Sequence, residues 1–129
     1  MRGIVERFGE SAGKIWSVLD ERGCLCRDDL LVLSCLNDFD FFTGLGWLAC
    51  EGKLFVDGDS FCLGEGVVGS GFGVFAGRVW RVLDVWGGAD FLTVKRLSGL
   101  DDFEVHGALG WLGREGKIGV DDCNRFVLL

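Results

Sequence analysis

Apolar residues recur at helical spacing in two parts of the chain: Ala12, Ile15, Trp16 and Leu19, and again Ala76, Val79, Trp80 and Leu83, each set at i, i+3, i+4 and i+7. Gly23 or Gly87 follows each stripe, where a glycine closes a helix in the left-handed conformation, so both stretches predict a first helix. A shorter second helix is predicted around Asp28 to Ser34 and around Leu92 to Ser98. It turns Leu30 and Leu33, or Val94 and Leu97, inward before a tight turn containing Leu36 or Leu100. A third helix follows at once. Asp101 and Glu104 stand in capping-box spacing, Asn37 and Asp40 take the same places, and Val105, Ala108, Leu109 and Leu112 repeat the apolar stripe up to Gly116, the counterpart of Gly52. The period then changes to two. Leu54 and Val56 face Phe61 and Leu63 across Asp57-Gly58-Asp59, and Lys117 to Asp121 pairs with Arg125 to Leu129, each reading as a β-hairpin.

The two readings match because the chain is duplicated. "GLGWLACEGK", Gly44 to Lys53, returns as "ALGWLGREGK", Ala108 to Lys117, and a shift of sixty-four residues aligns about twenty of some forty-five positions without a gap. Gly13, Trp16, Leu19, Asp20 and Gly23 meet Gly77, Trp80, Leu83, Asp84 and Gly87, while Leu33, Ser34, Leu36, Asp38 and Phe39 meet Leu97, Ser98, Leu100, Asp102 and Phe103. The glycine-rich run Gly64 to Gly77 belongs mostly to the second copy, because Phe72, Gly73 and Ala76 align with Phe8, Gly9 and Ala12. The free joint is then Gly64 to Gly66.

Helix, short helix, turn, helix and hairpin make a winged helix-turn-helix. The expected fold is α+β: two tandem winged helices of three helices and a hairpin wing each, over residues 1–63 and 64–129. "AGKIWSVL", Ala12 to Leu19, followed by "LGWLACEGK", Leu45 to Lys53, resembles a small prokaryotic family of winged helix-turn-helix proteins of largely unassigned function, present here as two copies covering nearly the whole chain. The resemblance implies a fold that serves either as a DNA reader or as a protein-docking module.

Charge narrows that choice. The net charge is −7, divided as −5 over residues 1–64 and −2 over residues 65–129, so neither half is basic. Nucleic-acid affinity comes mainly from cations that neutralise phosphates. The third helices begin "NDFDFFTG" and "DDFEVHG", and the wing tips carry Asp57, Asp59, Asp121 and Asp122, so groove and phosphate contacts both meet carboxylates. Arg78, Arg81, Lys95 and Arg96 gather in the first and second helices of the second copy and are the candidate DNA contacts of the alternative reading. Arg2, Glu6, Arg7 and Glu10 leave no apolar leader region, and no uncharged run approaches the ~20 residues of a membrane span, so a cytoplasmic protein without membrane contact is expected.

No residue set points to catalysis, a cofactor, a metal or a small-molecule substrate. Six cysteines are spread without duplication, no CxxC pair occurs, and reduced thiols acting as small buried hydrophobes are expected, with Cys24 and Cys26 the one spacing suited to a soft metal or redox role. Gly64-Glu65-Gly66-Val67-Val68-Gly69 spells a phosphate-loop pattern, but its strand is a hairpin partner and no helix opens from the third glycine. His106 is the only histidine and aligns with Phe42, which suggests a partly exposed helix position. Trp16, Trp47, Trp80 and Trp111 recur in pairs and are expected in the core.

The expected function is a non-enzymatic protein-interaction module in a regulatory or macromolecular assembly, its partner a separate protein or a second copy. The alternative is a transcription regulator that docks on DNA through the second copy. On the third helices, Phe39, Phe42 and Gly46, and Phe103, His106 and Gly110, point away from their own cores, and mid-helix glycine costs about 1 kcal/mol relative to alanine. These six, with Trp86 at the rim of the second copy, are the candidate protein interface.

Overall fold

A computed structural model describes residues 3–64 and 71–129. The first copy runs α1 (Ile4–Arg22), β1 (Leu25–Cys26), α2 (Arg27–Ser34), α3 (Asp38–Cys50), β2 (Leu54–Asp57) and β3 (Ser60–Leu63). The second runs α4 (Phe72–Trp86), α5 (Phe91–Ser98), α6 (Asp102–Arg114), β4 (Ile118–Val120) and β5 (Phe126–Leu128). Most of the Gly64–Gly66 joint and of the Gly64–Gly69 pattern lies outside the described residues.

Side-chain caps set the starts of α3, α5 and α6. The Asn37 side chain accepts from the Asp40 backbone N–H at 2.8 Å, opening α3. At α6 the box is reciprocal: Asp101 accepts from the Glu104 N–H at 2.8 Å and Glu104 accepts from the Asp101 N–H at 3.0 Å. Asp90 caps α5 through the Thr93 N–H, whereas α2 begins after Cys26 with no side-chain cap. Each such cap contributes about 1 kcal/mol.

The wing of the first copy is three-stranded, in the order β1-β3-β2, with Leu54 opposite Leu63 and Asp57 opposite Ser60 across a two-residue turn. β1 was not expected from the pattern; it adds Leu25 opposite Phe61. In the second copy the third strand shrinks to one bridge between Ala89 and Phe126 beside the β4-β5 hairpin. Where the second copy has Gly88 and Phe126, the first has Cys24 and Cys62, joined in a disulfide. The expectation of uniformly reduced, buried cysteines is therefore corrected: antiparallel β1–β3 pairing brings these two side by side, and Cys35 and Cys123 are exposed.

Two apolar cores form, and each takes a phenylalanine from the other copy's first helix. Phe8 is buried with Val79, Leu83, Val105 and Leu109, while Phe72 is buried with Ile15, Phe41 and Leu45. The inward line of α1 runs through Phe8, Ala12, Ile15 and Leu19, which leaves Trp16 at its edge. Trp16 and Trp80 are consequently 40% and 39% exposed, and only Trp47 and Trp111 pack against the cores. Leu33 and Leu97 likewise do not turn inward. Ser34 and Ser98, four residues after Leu30 and Val94, take the buried position on these short helices and donate to Leu31 O and Lys95 O.

Candidate functional site

The surface that a winged helix ordinarily presents to DNA is, in this chain, the seam between the copies. α3 and α6 pack on each other with opposite chain directions. A Cβ placed on Gly46 would lie 1.9 Å from the carbonyl oxygen of Gly107, and one on Gly110 would lie 1.9 Å from that of Thr43. Gly46 and Gly110 are equivalent positions, as are Thr43 and Gly107, so the contacts are reciprocal in the manner of a two-fold interface. Backbone touches backbone at the crossing, which only a residue without a side chain permits.

Aromatic rings flank the crossing in matching pairs. Phe42 stacks on Phe103 with centroids 4.5 Å apart, and Phe39 meets His106 edge-on at 4.9 Å. Phe91 lies 5.0 Å from His106 on another side. Cations close the periphery: Arg27 sits over Phe103, Arg7 over Phe39, and Arg114 over Trp47. Arg7 also forms a forked pair with Asp40 at 2.6 and 3.1 Å, and the Arg114 Nε lies 3.1 Å from Glu51. Six of the seven candidate interface residues, Phe39, Phe42, Gly46, Phe103, His106 and Gly110, are thus brought together between the copies. Trp86 is not among them; it is 61% exposed at the end of α4.

His106 is half-buried on α6, in keeping with the partly exposed position expected of it. Its Nδ1 is buried with no hydrogen-bond partner among the described residues, and burial holds the imidazole below the usual histidine range, against the smaller upward pull of Asp102, Asp38 and Asp101. Among the described residues no three of His, Cys, Asp and Glu gather in a metal-like cluster. Cys24 is bonded to Cys62, so Cys24 and Cys26 do not act as a thiol pair.

The candidate DNA contacts are partly engaged. Arg78 donates to the Ser98 carbonyl at the end of α5, and Lys95 pairs with Asp102 at 2.7 Å. Arg81 and Arg96 are exposed and make no ion pair among the described residues. At the second wing tip Asp121 accepts from the Cys123 and Arg125 backbone N–H groups and from the Arg125 side chain, which holds it below the ordinary carboxylate range.

Clefts mark the outside, one of about 390 Å³ at the first copy's wing between Cys26, Arg27, Val56, Asp59 and Phe61. Two others are equivalent, of about 250 and 300 Å³, and are lined by the same residue types in both copies: Gly9, Gly13, Trp16, Trp47, Glu51 and Lys53, and Gly73, Gly77, Trp80, Trp111, Glu115 and Lys117. The repeated tryptophan and Glu-Gly-Lys segments therefore build the packing of the first helix on the third and the entry to the wing. A further cleft, of about 360 Å³, is lined by Arg78, Arg81, Val82, Val85, Trp86 and Leu97 between α4 and α5, where the first copy has Lys14, Ser17, Val18, Glu21, Arg22 and Leu33. Residue patterning set Trp86 apart from Arg78 and Arg81 and missed that the three share one cleft with Leu97, because the α4–α5 crossing is not local information.

Three helices and a hairpin, repeated, with the third helices apposed, define a tandem winged helix-turn-helix protein. The chain belongs to the family described as Winged helix-turn-helix domain (DUF2582), whose model matches twice, over residues 4–62 and 69–129. No curated protein and no solved structure shows significant similarity to it. Among the described residues, no helix is long and apolar enough to cross a membrane.

Proposed function

We propose that the chain is a non-enzymatic, cytoplasmic protein-interaction module within a regulatory or macromolecular assembly. The observation that carries this reading is the burial of α3 on α6. To reach a major groove, α3 would have to leave α6, expose Phe42, Gly46 and Gly110 to water and lose the stacking of Phe42 on Phe103. Its first turn would then offer Asp38 and Asp40, and that of α6 Asp102 and Glu104.

The alternative, a transcription regulator docking through the second copy, rests on Arg81 and Arg96. Two exposed cations, one of them already acting on Asp90, fall well short of the roughly six to ten phosphate contacts of a firm duplex binder. Anisotropy titrations of labelled duplexes at low and physiological salt test the reading. Binding weaker than about 10 μM with a shallow salt slope is expected; sub-micromolar binding that loosens steeply with salt overturns it.

A further inference from the structure

The duplication supplies an internal control for every exposed position, and one face departs from it. On α4, Val74, Arg78, Arg81 and Val85 lie along a single outward stripe at i, i+4, i+7 and i+11; the equivalent stripe of α1 reads Glu10, Lys14, Ser17 and Glu21. Beside it Trp86 replaces Arg22, and on the first turn of α5 Leu92 replaces Asp28. Val85 and Trp86 are 71% and 61% exposed. Folding does not demand these apolar residues, since the same scaffold carries charged ones at the same places sixty-four residues earlier. Exposed apolar surface kept against such a background marks a contact surface.

Charge complementarity identifies the occupant. The cleft between α4 and α5 has an apolar wall of Val82, Val85, Trp86 and Leu97, cations at Arg78 and Arg81, and no acidic side chain among the described residues that line it. Arg96 adds another exposed cation on α5. This concentration of positive charge stands in a chain of net charge −7. We infer that the α4–α5 face of the second copy is the docking site of the proposed interaction module, and that its occupant is an acidic segment of another protein with aliphatic or aromatic anchors. The anchors pack on Trp86, Val85 and Leu97, and carboxylates meet Arg81 and Arg96. A phosphate backbone does not suit a face whose wall is a tryptophan flanked by valine and leucine. Two chains of net charge −7 repel each other at long range, which disfavours a second copy as the occupant.

The inference rests on the interaction reading but is tested separately from it. A displayed library of random peptides is panned on the full chain and counter-selected on Val85→Glu/Trp86→Arg, a double variant that carries the first copy's own residues and whose folding is checked by its unfolding curve. Enrichment of peptides that combine Asp or Glu with Leu, Ile, Phe or Trp is expected. A synthesised representative should lose about tenfold or more in affinity on Trp86→Arg and on Arg81→Ser. Absence of discriminating peptides, or a basic consensus, overturns the inference while leaving the interaction reading intact. Sedimentation of the chain alone that shows self-association abolished by Val85→Glu/Trp86→Arg makes a second copy the occupant and likewise overturns it. Tight duplex binding lost in the same variant overturns both.

Discussion

His106 meets Phe39 edge-on with ring centroids 4.9 Å apart, at the place where the reciprocal pair, Phe42 and Phe103, stacks at 4.5 Å. One of four aromatic positions around the crossing is thus titratable. Burial lowers the histidine pKa from 6.5, so the folded state favours the neutral ring, and its contribution to stability is complete above that value and lost as pH falls through the folded pKa. Denaturant unfolding should show lower stability near pH 5 than near pH 7.5, and His106→Phe, the first copy's residue, should remove most of that difference. Equal pH dependence in parent and variant would show that the enclosed ring does not control it.

Alanine at Gly46 or Gly110 should reverse the usual helix preference. In an open helix the change gains up to about 1 kcal/mol. At the crossing the new Cβ falls 1.9 Å from a backbone carbonyl in either copy, so the helices must separate. Overpacking of this kind costs about 3 kcal/mol or more. Equilibrium unfolding of each variant measures it, and a gain in stability would contradict the close approach.

Gly13 and Gly77 provide the contrasting case. They occupy equivalent exposed positions in α1 and α4, and a Cβ on either would meet nothing within 4 Å. Gly13→Ala and Gly77→Ala should each raise stability by about 0.5–1 kcal/mol, read as a higher denaturation midpoint at unchanged slope.

Reduction should act on the first copy alone. The Cys24–Cys62 bond closes a separation of 38 residues, and the second copy has Gly88 and Phe126 instead. Cys24→Ser/Cys62→Ser should lower stability by about 2–4 kcal/mol, and a thiol reductant should lower the melting temperature of the parent but not of this variant. A reductant effect that persists in the variant would place the sensitive bond elsewhere.

What the residues disclosed in advance was mostly local. The Asp101–Glu104 box, the hairpin alternation and the Ala12–Leu19 stripe depend on neighbours within a turn or two; the second and third helices and the hairpins formed within a residue or two of their expected bounds, whereas α1 begins at Ile4, well before the Ala12 stripe. Periodicity gives a direction, not the edge at which burial stops; Trp16 and Leu33 lay within the inward arc and still remained partly exposed. The disulfide required the register of β1 on β3, a two-residue strand with no pattern to announce it. Gly46 and Gly110 signalled an outward face suited to close approach, but nothing in their spacing identified Gly107 and Thr43 as what they would touch, or that Phe8 and Phe72 would trade cores.

Joining the two halves in one polypeptide changes the arithmetic of the α3–α6 seam. Between separate chains such a reciprocal contact would come apart on dilution and would display every outer face twice. Within a single chain its formation is set by the tether and not by protein concentration. The outer faces are also released from sameness: Glu21 and Arg22 on one side, Val85 and Trp86 on the other. Whatever engages α4 therefore does so with a stoichiometry of one per chain, and the opposite flank is free to meet something different.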